Sequence, residues 1–459
     1  MSPTIIGIIL FAIFFVFAGL MYTGKLPALI ALPLMAASLF LVGGFFHFAV
    51  APRFPGSNSL VLLREFVNVV VENGMLFIWK YVVTIILGAV LAELLKESGV
   101  SRTIIRWASE LGGDNKIVMC FLLTGVTAVL FTSLAGLGAV IMVAGIVLPV
   151  LLSIGVTPPA AGSVFLLGMS IGGAFNPVNW ALYFNVLEAA GVPKADTQSQ
   201  LLSFIIPFSA AFILLTVIFI FLNARRGPSS FLALPNGDTT PAPEKSAGGL
   251  ALFSPVIPIF LILSFKISAL VRGGEGYAFP LNTALLIGVL YCLFTTGRGP
   301  NGYVQRLTKS LFAGISASAP VATLIIGIGM TISVVWSDPV KLYMEPILTK
   351  VIPSSPVMYV AVFTVLAPLA LYRGPLNVWG MGIAVGSIMI GAGILPPYAV
   401  MGALYSVGMI QGVSDPTNTH NAWIAGFLGE DVNVFTRKTL PWTWLLAFIG
   451  LVISAFKFF

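Results

Sequence analysis

The stretch QGVSDPTNTHNAW (411–423) gathers hydroxyl, carboxamide, carboxylate and imidazole groups between two apolar segments. A shorter counterpart, NPVNW, stands at 176–180. Oxygen donors of this kind suit a small cation: Asn176, Asn179, Asn418 and Thr419 offer neutral oxygens, and Asp415 adds a charge. A carboxylate at membrane depth costs a few kcal/mol unless it pairs, binds a cation or takes a proton. The bland alternative is that these side chains only cap helix ends freed by Pro177 and Pro416. Arg373, in YRGPLN (372–377), is the other candidate. Its guanidinium can grip a carboxylate through two parallel hydrogen bonds. A salt bridge to Asp415 is the competing role.

The elements that must hold these residues are membrane helices. The chain has 459 residues, 58% of them hydrophobic and 8% charged, and apolar runs of bilayer length recur from end to end. The opening run PTIIGIILFAIFFVFAGLMY (3–22) is too long for a signal segment and reads as a retained span. A net charge of +7 reports membrane topology here, so no nucleic-acid partner is expected. Two cysteines and two histidines, scattered along the chain, form no metal-ligand spacing. No phosphate-cradling loop or nucleophile–base pair is present, which excludes the common enzyme classes and an ATP-driven pump, and no cofactor is expected.

Motifs recur at a near-constant offset of 239 residues: VVTIILG at 82 with VATLIIG at 321, and NPVN at 176 with DPTN at 415. GVTPPA at 155 and GILPPY at 393 agree to within one residue. The chain therefore divides into residues 1–224, a Pro- and Gly-rich cytoplasmic linker over 225–247, and residues 248–459. Each half is predicted to hold two spans (3–22 and 26–49; 252–271 and 280–296), a third (75–95; 312–336) and an amphipathic interfacial segment. Then come a re-entrant hairpin (116–153; 357–392), a broken helix (160–190; 398–429) and a closing span (201–223; 441–458). The hairpin arms are about 15 residues, roughly 22 Å as helix, short of a roughly 30 Å hydrocarbon core. Five crossings per half is an odd number, so the second half runs inverted. The topology places roughly twice as many Lys and Arg on one face, making that face cytoplasmic and both termini external. Glu93 and Lys96, near a cytoplasmic end, read as interfacial.

The fold class expected is thus an all-α polytopic membrane protein with two inverted-topology repeats. Paired broken helices in inverted repeats are the mark of secondary transporters, whose half-helix ends and freed carbonyls hold substrate and coupling ion near the midplane. Ser133, Asn179, Arg373, Asn377, Asn418 and Thr419 are the expected substrate residues, and Thr132, Asn176, Ser414, Asp415 and Thr417 the expected cation residues. The substrate expected is a small organic anion, a carboxylate or sugar acid, coupled to Na⁺ or H⁺. Two readings stay open: a cation/proton antiporter with Asp415 as the exchanging group, and a membrane subunit of a binding-protein-dependent tripartite carrier.

LGAVLAELLKESGVSRTIIRWASELGG (87–113) and LFTSLAGLGAVIMVAGIVLPVLLSIGVTPPAAG (130–162) resemble the first repeat of the ion transporter superfamily. That superfamily takes in divalent-anion/sodium symporters, citrate and gluconate permeases, and the large membrane subunit of tripartite carriers. The resemblance implies an elevator mechanism, with hairpins and broken helices moving against a scaffold. It also implies a homodimer. The expected setting is the lipid of the inner membrane, and a separate binding protein is not expected. Sodium-coupled dicarboxylate members carry Ser-Asn-Thr at the hairpin tips. Here the tips read Thr132-Ser133-Leu134 and Arg373-Gly374-Pro375, and the Asn418-Thr419 pair falls in the broken helix instead.

Replacing Arg373 with Ala is expected to abolish anion uptake while leaving cation-dependent stabilisation intact. Unchanged uptake by that variant in proteoliposomes would remove Arg373 from the site.

Overall fold

Lipid offers backbone N–H and C=O groups no partner, so a chain that crosses it must satisfy them internally. The computed structural model describes the chain apart from residues 1, 23–24, 51–58, 77–79, 113–114, 190, 225–247, 273–278, 297–299, 352, 354, 374–375, 392 and 394. The described residues form twenty α-helices and no strand, an all-helical, multi-pass membrane fold. Among the described residues, four stretches are long and apolar enough to span by themselves: Pro3–Met21, Leu29–Val50, Asp196–Asn223 and Val432–Phe458.

In the first half the order is α1 (Pro3–Tyr22), α2 (Ala28–Gly44) with a π-helical turn to Val50, α3 (Ser59–Phe66), a π-helical turn (Val67–Glu72), α4 (Asn73–Leu76), α5 (Lys80–Glu97), α6 (Val100–Gly112), α7 (Lys116–Phe131), α8 (Leu137–Ser153), α9 (Pro158–Ala174), α10 (Pro177–Ala189) and α11 (Lys194–Asn223). A 3₁₀ turn (Gly249–Phe253) opens the second half. It is followed by α12 (Ile257–Arg272), α13 (Leu281–Thr296), α14 (Pro300–Trp336), α15 (Asp338–Val351), α16 (Pro356–Leu366) with a 3₁₀ turn to Arg373, a π-helical turn (Val378–Gly382) and α17 (Ile383–Gly391). Finally come α18 (Pro397–Ser414), α19 (Thr419–Leu428) and α20 (Val432–Phe458).

Local signals explain the boundaries. Asn115 caps α7 by accepting from Ile117 N and Val118 N at 3.0 and 3.2 Å. Prolines open α9 and α18, where a missing N–H costs nothing. Gly155, at φ +82°, ends α8 while Val156 N returns to Leu151 O at 3.0 Å. Lys116 Nζ donates to Gly155 O at 3.0 Å, so the chain leaves α8 beside the point where it entered α7.

Of the two expected third spans, one proves longer in the structure and the other is preceded by further short helices. The segment predicted over 75–95 is preceded by α3, the π-helical turn and α4, and its counterpart is the 37-residue α14. At 1.5 Å per residue α14 extends roughly 55 Å, well beyond a hydrocarbon core. A search for apolar bilayer-length runs passes over SLVLLREF and PNGYVQRLTKS, whose charges and amides interrupt the hydrophobicity while nothing in them breaks the helix.

α5 and α14 run antiparallel: Gly314 packs its bare Cα on Val90, and one turn earlier Lys309 pairs with Glu97. Each also receives the second span of the opposite half. α2 lies along α14, with Pro33 against Gly327 and Thr331 Oγ1 donating to Leu32 O at 3.3 Å. α13 lies along α5, with Gly288 against Leu91 and Thr84 Oγ1 bonded to Asn282 Oδ1 at 2.5 Å.

α9 and α18 are buried along most of their length. A helix enclosed on all sides must be apolar or small all round, and glycines at four-residue spacing let neighbours close in. Gly168 and Gly172 lie on Thr124 and Ala128 of α7, and a Cβ added at Gly172 would sit 2.1 Å from Ala128 O. Gly172→Ala is therefore expected to cost about 1–3 kcal/mol of stability. Gly125→Ala, with nothing within 4 Å, should be neutral or slightly stabilising. Melting of the two purified variants in one detergent checks this, and equal midpoints would contradict the close approach.

Candidate functional site

α9 and α10 form one path bent by 60° at the 175–176 break. α18 and α19 are separated in the same way by Asp415–Asn418. Each break frees carbonyls from the last turn of its first half-helix, and side chains answer them. Asn179 Nδ2 donates to Gly173 O at 2.8 Å. Trp180 Nε1 and Tyr405 Oη both donate to Ala174 O, at 2.8 and 2.5 Å, and Tyr405 comes from α18. In the second break Asn418 Nδ2 donates to Gln411 O at 3.2 Å. Asn421 Nδ2 donates to Val413 O and Asp415 O at 3.1 and 2.9 Å, and Thr436 Oγ1 to Ser414 O at 2.8 Å.

The residue at the head of each break does a further job. Asn176, 1% exposed, closes its own turn by accepting from Val178 N at 3.0 Å. Its Nδ2 then reaches the first hairpin tip and donates to Phe131 O and Leu134 O at 3.0 and 2.9 Å. Asp415, also 1% exposed, closes its turn by accepting from Thr417 N at 2.9 Å and from Thr417 Oγ1 at 2.7 Å. It too reaches a tip, but as an acceptor: Tyr372 N donates to Oδ1 at 2.9 Å and Asn377 Nδ2 to Oδ2 at 3.2 Å. Tyr372 is held there at φ +53°, a left-handed conformation unusual for a bulky residue, right after an extended Leu371.

Asp415, Thr417 and Asn377 are thus brought together, as three of the eleven residues singled out in the sequence. Asn176 meets the first tip, and Asn179 and Asn418 each cap their own half-helix. Ser414 turns away to α20, where its hydroxyl bonds Thr439 Oγ1 and Thr443 Oγ1 at 2.8 and 2.9 Å. Thr419 opens α19 and is exposed. Thr132 and Ser133 do not face the second break. Ser133 donates its hydroxyl to Pro255 O, and Thr132 Oγ1 lies 2.7 Å from Val129 O of its own helix and 3.0 Å from Pro255 O, because that carbonyl ahead of α12 lies against the first tip. Gly374, Pro375 and the side chain of Arg373, the expected anion anchor, lie outside the described residues.

Asn421 was missed by the sequence reading although it stands in the same polar run. Its Oδ1 and that of Asn377 are buried without a hydrogen-bond partner among the described residues, both residues being 1% exposed. An unanswered buried oxygen costs about 1–3 kcal/mol. At the 239-residue offset the first half has Gly138 and Leu182 in these places, so the arrangement belongs to the second break alone. Carboxamide oxygens beside a carboxylate form a donor set for a hard cation or for a ligand N–H. Ser170 Oγ of α9, also buried and without a hydrogen-bond partner among the described residues, lies against Gly412 of α18.

The opposite hydrogen-bond senses lead to an asymmetric expectation. Asn176→Asp sets a carboxylate against two carbonyls and should cost roughly 3–5 kcal/mol, as for an uncompensated buried charge. Asp415→Asn keeps an acceptor for Tyr372 and Thr417 and should cost only about 1–2 kcal/mol. Equal losses in melting of the two purified variants would contradict the assigned senses.

No family model matches the chain, and no curated protein matches it by sequence. Among solved structures the chain is similar to the YdaH transporter of Alcanivorax borkumensis, a crystal structure described as revealing an unusual topology. The TM-score is 0.61 at 16% identity, over 93% of this chain and 96% of that one, a likeness of fold along nearly the whole length.

Proposed function

We propose that the protein is a secondary active transporter that moves a small organic anion, a carboxylate or sugar acid, with Na⁺ or H⁺. The observation that carries this reading is the second break, where a buried carboxylate, a hydroxyl and two carboxamides with unanswered oxygens meet at a hairpin tip. Such groups are retained in a membrane interior where they bind something. The likeness of fold to a transporter supports the same class.

In this reading Asp415, Thr417, Asn377 and Asn421 take the coupling cation, and Asn179, Asn418 and Arg373 lie toward the anion. Asn421 joins the expected set, and Ser414 leaves it because its hydroxyl is committed to α20. The halves are inverted repeats, a reading supported by the antiparallel packing of α5 on α14 and the exchange of second spans between halves. The hairpins and broken helices move together as the transport body, supported by the bonds that tie each tip to its break. The protein sits in the inner membrane with both termini outside.

The test is the current evoked by a panel of mono-, di- and tricarboxylates and sugar acids in proteoliposomes, with sodium and then with choline at fixed pH. One anion should give a current that disappears in choline, and Asp415→Ala should reduce it at least tenfold in protein that still elutes as the wild type does. A current that survives in choline and follows pH moves the coupling to protons. Silence from folded protein across the panel would overturn the reading.

A further inference from the structure

A cavity of about 160 Å³ lies between the first hairpin tip and helices α5 and α14. One end is charged. Glu93 and Lys96 of α5 share its wall, on one helix face by their three-residue spacing. Their side chains are 19% and 47% exposed. Although the sequence marks them as interfacial, the structure sets both beside the hairpin that carries Thr132 and Ser133. The rest of the wall is apolar, with Ala92 and Ala317 beside the turn at Gly136 that opens α8, and Leu137 and Met142 as its larger side chains.

The ion pair closes loosely. Lys96 Nζ stands 3.4 Å from Glu93 Oε2, longer than the 2.7–2.9 Å of a charge-assisted N–H···O bond. Glu97, one residue on, is committed to Lys309 of α14 and does not compete for Lys96. A free carboxylate can therefore approach Lys96 more closely than Glu93 does. The alanine walls then reward a short hydrocarbon tail and penalise a second charge. As for size, an apolar cavity of roughly 150 Å³ accommodates benzene, which suits an acid of a few carbons.

We propose that this cavity binds a short aliphatic monocarboxylate, with the carboxylate on Lys96 Nζ in place of Glu93 and the chain against the alanine walls. As a station for transported anion between the first hairpin and α5 it rests on the function proposed above, whereas the binding itself does not.

The experiment is calorimetric titration of the full-length protein in detergent, with acetate, butyrate and succinate as probes and ionic strength held constant with chloride. Butyrate should bind saturably and more tightly than acetate by about fourfold per added methylene, and succinate should bind more weakly than butyrate. Lys96→Gln should weaken butyrate at least tenfold, and Lys96→Arg should stay within a few-fold of wild type. Glu93→Gln should tighten it severalfold, since the internal competitor is gone. Ala317→Leu, which fills the cavity without touching a charge, should abolish it. Butyrate binding that is unaltered in Lys96→Gln, or no tighter than acetate, overturns the proposal. Because binding is read without a gradient, absent transport leaves this site standing, and loss of the site leaves any measured current standing.

Discussion

A helix broken inside a bilayer releases carbonyl and amide groups that lipid cannot answer, each at a cost of several kcal/mol. Two such breaks, after Ala174 and after Ser414, set the terms for the rest of the structure. Their carbonyls are met by Asn179, Trp180 and Tyr405 in one case and by Asn418, Asn421 and Thr436 in the other. Those partners come from the next half-helix, from α20 and, through Tyr405, from the opposite half. To bring so many elements within hydrogen-bonding reach, α9 and α18 must be enclosed, and enclosure demands glycine. Gly402 and Gly450 leave room for the side chains of Ser454 and Ser406 across the α18–α20 contact, as Gly168 and Gly172 do for α7. The glycine content and the polar breaks are thus two sides of one requirement.

The same requirement explains why equivalent positions hold different residues. At the first tip the groups facing the break are carbonyls of Phe131 and Leu134, so the side chain there must donate, and Asn176 does. At the second tip the group facing the break is the Tyr372 N–H, so the side chain must accept, and Asp415 does. A difference of one atom, amide nitrogen against carboxylate oxygen, satisfies both tips and gives only the second half an ionisable group at the break. The unanswered oxygens of Asn377 and Asn421 gather around that same residue.

Much of the architecture was legible because membrane burial writes coarse signals. Bilayer-length apolar runs, double prolines at 158 and 396, and polar runs where lipid should be point to an all-helical membrane fold and to the interruptions after Ala174 and Ser414. What escaped were helices whose polarity masks them, such as α3 and the first turns of α14. Side-chain partners at the tips escaped as well. Nothing in Thr132-Ser133 foretells the Pro255 carbonyl, which lies more than a hundred residues along the chain and meets the tip only once α12 is folded beside it. Asn421 is different. It lies within the 411–423 run but outside the four-residue motif that repeats, and its role depends on the first turn of α19, which aims its amide back at the break.

These bonds also constrain how the molecule can move. Because Asp415 holds Tyr372 N with the same Oδ1 that closes its own turn, and Asn377 with Oδ2, the second tip and the second break cannot shift apart without losing several bonds at once. Asn176 imposes the same on the first tip. The first tip carries one further tie, since Ser133 spends its hydroxyl on Pro255 O, whereas Thr132 also bonds Val129 O of its own helix at the shorter distance of 2.7 Å. A hydroxyl proton donated to that carbonyl cannot be donated to a ligand. If the first hairpin moves relative to α12, the step that breaks the tie is also the step that frees the Ser133 hydroxyl at the tip. Docking of the hairpin and occupation of its tip by a ligand of that hydroxyl would then be alternatives set by one hydrogen bond rather than independent events.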